Sequence, residues 1–244
     1  MSAPDSALHE LCVVACAEAW RGEGEILASP IGVVPSIAAC LARATFAPDL
    51  LLTDGEASLV RDDVVEGWMP YRAVFDTVWS GRRHVMMGAS QIDRFGNQNI
   101  SCIGDHAKPR AQLVGMRGAP GNTINHPTSY WIPKHSTRVF VAKVDVVCGV
   151  GFDRAAALGP AGRFHALRRV VTNLAVLDFD TPDHAMRLAS CHPGVAVEDV
   201  VHATGFPLVV PTHVPTTRAP SLEELRLLRE VLDPEARAAK ELAP

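Results

Sequence analysis

Apolar residues recur at Leu8, Leu11, Cys12, Ala15, Cys16 and Trp20, the i, i+3, i+4, i+7 spacing of one helical stripe. The pattern predicts an opening helix that stops near Gly22. It then gives way to short, unbroken apolar runs. Residues 25–29 (EILAS) and 50–53 (LLLT) read as buried strands, and between them Pro35 suits the first turn of a helix carrying Ile37, Cys40 and Leu41. Strand, helix and strand in that order predict a βαβ unit. Its parallel strands are covered on both faces and so lack the alternation of half-exposed ones.

Further strands are predicted at 84–89 (HVMMGA), 138–147 (RVFVAKVDVV) and 170–179 (VVTNLAVLDF), the last joined through the turn-rich DTPD to HAMRLAS. Near the C-terminus Ser221 precedes Glu224 by three residues, a capping-box spacing. Leu225, Leu228 and Leu232 then form a stripe that Asp233-Pro234 ends. Residues 152–163 (FDRAAALGPAGR) read as a connection. No repeat or linker interrupts the chain. The expectation is one α/β domain over residues 1–244, with a mixed, mostly parallel sheet and helices on both faces.

Composition narrows the function classes. With 48% apolar and 20% charged residues and a formal net charge of −4, the chain has no basic arm suited to nucleic acid. Its longest uncharged stretch, Ile26 to Ala42, is short for a membrane span and carries Pro30 and Pro35. The first ten residues, MSAPDSALHE, lack the basic start and apolar core of a signal peptide, so a cytoplasmic location is expected. Six cysteines without a CxxC pair predict reduced, packed thiols rather than a metal site.

The common short catalytic motifs are absent, and three loops hold the candidate chemistry. The first leaves a buried strand with Asp54, Gly55 and Glu56; carboxylates at a strand's carboxyl end suit acid–base or nucleophilic work, and Asp54 equally suits a helix N-cap. The second, GASQIDRFGNQNIS (88–101), brings Gln91, Asn97 and Asn99 together around a turn in which Gly96 or Asn97 takes positive φ. The third, 115–131, spaces Gly115, Gly118 and Gly121 by three. It reads either as a backbone nest for an oxyanion, with Asn122, Thr123, Asn125, Thr128 and Ser129 adding neutral hydrogen bonds, or as a tight surface loop. His126 and His135 read as loop residues without an assigned role.

The run GAxQID followed by FGNxN at 88–99, the APD-strand-carboxylate stretch at 47–56, EDVVHATGF at 198–206 and LRLLREVLDP at 225–234 resemble beta subunits of family I CoA-transferases of the glutaconate type. Within the family, LTDGEA (52–57), EGWMP (66–70), GRRHV (81–85), RGAPGNTINHPTSYW (117–131) and VDVVCGVGFD (144–153) resemble the hydrolase branch that opens a steroid ring in bacterial cholesterol breakdown. The resemblance implies a CoA-transferase-type fold, an α2β2 assembly with a separate alpha chain, and a cyclic β-keto acyl-CoA substrate. It implies no metal and no cofactor beyond the coenzyme A of the substrate, with adenosine and phosphate contacts mostly on the alpha chain.

Transferases of the family carry their nucleophile as E-(S/N)-G, whereas this chain has Asp54-Gly55-Glu56. The resemblance therefore puts the main catalytic glutamate on the alpha chain, with Asp54 and Glu56 supporting it. Gln91, Asn97, Asn99, Gly118, Ala119, Gly121, Asn122, Asn125 and Ser129 are then the residues implied to meet substrate. The alternatives are a true transferase working through a glutamyl-CoA intermediate and a subunit that only completes its partner's fold.

Overall fold

The computed structural model describes residues 6–53, 58–61, 64–68 and 82–242. Contacts divide the chain into two compact units, Met1–Gly88 with Thr217–Pro244, and Ala89–Thr216.

The first unit opens with helix α1 (Leu8–Ala17), prolonged by a tight turn at Glu18–Trp20. Its predicted stripe is buried from Leu11 to Trp20, and only Leu8, at the start, is exposed. Strand β1 (Leu27–Pro30), helix α2 (Val33–Thr45) and strand β2 (Leu51–Thr53) form the expected βαβ unit, with Leu27 in parallel register with Leu51. Pro35 falls in the first turn of α2, where a missing N–H costs nothing. Strands β3 (Ser58–Arg61) and β4 (Val64–Trp68) continue the sheet antiparallel beyond β2. Strand β5 (Arg83–Met87) lies parallel to β1 on its other side.

The second unit begins with two short hairpins, β6 (Gln91–Ile92) with β7 (Gln98–Asn99) and β8 (Cys102–Ile103) with β9 (Ala111–Gln112). Helix α3 (Ala119–Asn125) leads into β10 (Pro127–Ile132), which pairs parallel with β11 (Ala166–Thr172). Strands β12 (Ala175–Asp178) and β13 (Arg187–Cys191) extend that sheet antiparallel, and helix α4 (Val197–His202) packs Val200 against Leu188 and Ala175.

The chain ends in the first unit with α5 (Leu222–Leu227), a π-helical turn at Leu228–Leu232 and α6 (Arg237–Glu241). The capping box forms as predicted: Ser221 Oγ accepts from Glu224 N–H, and the Glu224 carboxylate accepts from Ser221 N–H. Ion pairs tie this tail to α1 and its extension, Arg218 with Glu18 and Arg229 with Glu10. The Glu241 carboxylate accepts from Val34 N–H at the start of α2 at 2.8 Å.

Three expectations needed correction. The apolar run 138–147 is not a strand; it forms bends that carry only an isolated bridge at Phe140. Its backbone bonds instead to Ile92 and to the Gln91 side chain, so buried Phe140 and Val144 anchor an irregular segment. The run 170–179 is two strands rather than one. Thr172 Oγ accepts from both Leu174 N–H and Ala175 N–H at 3.1 Å, which turns the chain between β11 and β12. Residues 127–132, assigned to a loop from their polar start, are β10, where Thr128 and Ser129 are buried as fully as Tyr130.

Five cysteines are buried and Cys40 is half-buried, and burial pushes the Cys12 thiol up to about 12. Among the described residues no helix is long and apolar enough to cross a membrane, and no cluster of His, Cys, Asp and Glu could hold a metal ion.

Candidate active-site wall

Asp54 and Glu56 lie outside the described residues. The other sequence-predicted site residues all fall in the second unit, on three pieces of chain that the fold joins.

The β6–β7 hairpin turns as expected, with Gly96 at φ +81°. Leu167 and Phe179 press so close to Gly96 that a Cβ would collide with both. Asp93 Oδ1 closes the turn by accepting from the Phe95 and Asn97 N–H groups, each at 3.0 Å. Burial raises the Asp93 pKa, against the lowering effect of these donors.

The three amides, implied to meet substrate, are engaged within the fold. Asn97 Nδ2 donates to Asp93 and to Asp153, and its Oδ1 accepts from Gly151 N–H at 2.8 Å. Asn99 Nδ2 donates to Gln91 Oε1 at 2.7 Å and to the Cys102 carbonyl at 2.8 Å, so both its hydrogens are used. Gln91 Nε2 donates to Asp145, while its Oε1 also accepts from Asp145 N–H. All three amide residues are buried. Their geometry is that of a scaffold.

The 115–125 segment is not a glycine nest. Pro120 lies in the first turn of a short helix, and Gly118 and Gly121 keep negative or helical φ, so their N–H groups do not converge on an anion. The helix gives the candidates a different geometry. Gly118, Gly121, Asn122 and Asn125 stand at i, i+3, i+4 and i+7, on one accessible face, while Ala119, Thr123 and His126 are buried on the other. Asn125 Nδ2 donates to the Gly121 carbonyl at 3.0 Å, which fixes one amide on that face. Ser129 lies apart from it, buried in β10.

A strip at Cys148–Gly151 joins the hairpin to α3. Gln98 and Gly149 exchange backbone hydrogen bonds, Gly151 N–H reaches Asn97, and Val150 N–H donates to Thr123 Oγ at 2.9 Å. Gly151 is a steric requirement, and Gly149 is tightly surrounded. A Cβ at Gly149 would lie 3.0 Å from Gln98 Oε1, and one at Gly151 would lie 2.6 Å from Asn97 N and Phe95 O. The sequence pointed to this strip only as part of VDVVCGVGFD and gave it no site role, although its Gly-x-Gly spacing was a legible sign of close backbone approach.

His135 is a core residue. It stacks on Phe140 at 3.8 Å between ring centroids, and its ring nitrogens lie 3.1 Å from Thr172 Oγ and 3.0 Å from Thr204 Oγ. Burial pushes its pKa down to about 4, so the imidazole is neutral at pH 7.

A buried amide scaffold carrying a short helix with a neutral, accessible face can hold an uncharged or oxyanionic group. Comparison with known proteins gives this arrangement its class. The Coenzyme A transferase family model matches residues 75–203, and the chain belongs to that family.

More particular relatives carry the name cholesterol ring-cleaving hydrolase IpdB subunit. The protein of Rhodococcus jostii RHA1 is 54% identical over 241 residues, covering 96% of this chain and 95% of its own length. That of Mycobacterium tuberculosis H37Rv is 51% identical over 243 residues, covering 96% and 97%. A glutaconate CoA-transferase subunit of Acidaminococcus fermentans is 29% identical over 238 residues, covering 86% and 87%. The crystal structure of Rhodococcus jostii RHA1 IpdAB superposes with a TM-score of 0.94 at 52% identity, covering 98% of this chain and 100% of the other. The predicted α/β class and CoA-transferase type of fold are therefore correct.

Proposed function

We propose that this chain is the beta-type subunit of a two-chain hydrolase that opens a ring of a cyclic β-keto acyl-CoA in cholesterol breakdown. The observation that carries the reading is identity above half, along nearly the whole chain, to a ring-cleaving hydrolase subunit, together with the same fold in one chain of the IpdAB crystal structure.

The chemistry follows from the substrate. A base takes a proton from water, and the resulting hydroxide adds to the ring ketone. The bond between that carbon and the carbon next to the thioester then breaks. Its electron pair is held as the thioester enolate, a carboxylic acid forms at the former ketone, and the proton returns to the enolate carbon. The sum is addition of one water with no net redox change, so no redox cofactor is called for, and coenzyme A enters as part of the substrate.

In this reading the base is a glutamate of the alpha chain, and Asp54 and Glu56 support it. The accessible face of α3, with Gly118, Gly121, Asn122 and Asn125, forms a neutral wall against the developing oxyanions. Gln91, Asn97 and Asn99 hold that wall through the 148–151 strip. The reading places the enzyme in the bacterial cytoplasm, in keeping with cysteines that are packed into the fold.

The test is co-expression with the alpha chain and mass analysis of product and quenched enzyme. The expected result is a ring-opened product heavier by one water, with measurable turnover retained in Glu56→Gln and Asp54→Asn. A coenzyme A adduct on Glu56 would make the enzyme a transferase and overturn the reading.

A further inference from the structure

Val150 stands in the strip at Cys148–Gly151, and the two peptide groups that flank it are bonded through both carbonyls and both N–H groups. The Gly149 carbonyl accepts from Gln98 N–H at 3.0 Å, and Val150 N–H donates to Thr123 Oγ at 2.9 Å. Gly151 N–H donates to Asn97 Oδ1 at 2.8 Å. The last bond comes from neither the hairpin nor α3: His165 Nε2 lies 2.9 Å from the Val150 carbonyl. A carbonyl only accepts, so Nε2 carries the hydrogen.

His165 is itself held in place. Its N–H donates to the Gly162 carbonyl at 2.9 Å, and its ring meets the Phe152 ring edge-on at 4.9 Å between centroids. His184 stacks on Phe152 at 4.3 Å. Burial lowers the His165 pKa from the ordinary 6.5, so the ring is neutral at pH 7 and its single hydrogen goes to Val150.

Helix α3 depends on such anchors. It has seven residues, and Gly118 before it has no side chain to cap it, so its own backbone bonds do not fix its position. On its buried face Thr123 Oγ accepts from Val150 N–H and donates to the Ala119 carbonyl in the first turn at 3.1 Å. We infer that His165 is a positioning residue for the accessible face of α3: through Val150 and Thr123 it sets where Gly121, Asn122 and Asn125 stand. The inference rests on the proposed function in taking that face as a wall of the site, and it adds to that wall a side chain that touches no substrate.

The experiment compares two variants of the co-purified two-chain complex. His165→Phe keeps a ring against Phe152 and loses the donor, whereas the amide of His165→Gln can still donate to Val150. Hydrogen exchange, read by mass on peptides, should be about tenfold faster over 119–125 in His165→Phe, at wild-type rates over β12 and β13, and restored in His165→Gln. With a cyclic β-keto acyl-CoA, at a temperature well below Tm, kcat should fall about tenfold in His165→Phe while KM stays within about twofold, since a displaced wall costs the transition state more than binding. A merely structural histidine would lower Tm and leave the kcat of the folded enzyme alone. Thr123→Val, on the other side of Val150, should have the same effects, and the double variant should lose little more than either, because both act through one residue. Wild-type exchange over 119–125 in His165→Phe overturns the inference, as does full additivity in the double variant. Faster exchange with an unchanged kcat would keep His165 as the anchor of α3 and remove that face from the proposed site. A wild-type complex that opens no ring would sink the proposed function alone, because the exchange needs no turnover.

Discussion

Asn97 Nδ2 lies 2.8 Å from Asp153 Oδ1 and 2.9 Å from Asp93 Oδ2, so a single amide group bridges two carboxylates. Its carbonyl side holds Gly151 N–H, and Asn97 and Asp93 are buried while Asp153 reaches solvent. An amide so placed is worth more to folding than to binding.

Asn97→Ala should therefore lower stability by about 2–4 kcal/mol, since it leaves a buried N–H and a buried carboxylate short of partners. Asn97→Asp should be worse at pH 7 than at pH 5, because it sets a third carboxylate against Asp93 and Asp153. Thermal unfolding across that pH range is the check. Large loss of kcat/KM in Asn97→Ala with an unchanged Tm would return this amide to the substrate.

Gly151→Ala and Gly121→Ala should act in opposite directions. At Gly151 the new Cβ meets backbone atoms at 2.6 Å, which cannot move independently, so the second unit should be destabilised and the hairpin displaced from the 148–151 strip. At Gly121, inside α3, nothing lies within 4 Å, and the substitution should stabilise by about 0.5–1 kcal/mol. Because Gly121 faces outward with Asn122 and Asn125, that more stable variant should show reduced kcat/KM. A Gly121→Ala enzyme with full activity would remove this face of α3 from the site.

His135 makes stability depend on pH. Its folded pKa, about 4, lies below the ordinary 6.5, so between these values the unfolded chain binds more protons than the folded one. Stability is full above about pH 6.5, falls as the pH drops through the window, and levels off below about 4, a change of roughly 3 kcal/mol. Burial depresses His192 as well, which adds to the slope with the same sign. Denaturant titrations of His135→Gln should show a flatter dependence between pH 4 and 6.5, and an unchanged slope would assign the effect elsewhere.

The C-terminal tail offers a separate test. Burial opposes ionisation of Glu224, yet hydrogen bonds from Arg218 and Ser221 lower its pKa overall, so its contribution is lost as the pH falls below the usual carboxylate range. Glu224→Gln keeps the capping box and should cost less than about 1 kcal/mol, since Arg218 is partly in solvent. Glu224→Ala removes the cap too and should cost about 1–2 kcal/mol by thermal unfolding. Equal losses would mean that the ion pair, not the cap, holds α5.

The sequence by itself determined the elements whose periodicity is local. The α1 stripe, the βαβ unit around Pro35, the Ser221–Glu224 cap and the turn at Gly96 follow from spacings of one to four residues, and all are present. Quoted segments such as SQIDRFGNQNIS and RGAPGNTINHPTSYW also carried the family. What the tertiary structure decided was where polar groups spend their hydrogen bonds. The 138–147 run has the composition of a strand, but its backbone finds Ile92 and the Gln91 amide instead of a ladder. Asn97 and Asn99 look like free donors until Gly151 and Cys102, distant or hidden in the sequence, take them. A side chain's type fixes what it can bond, and only the folded chain fixes which partner reaches it first, because burial makes every unpaired polar group costly.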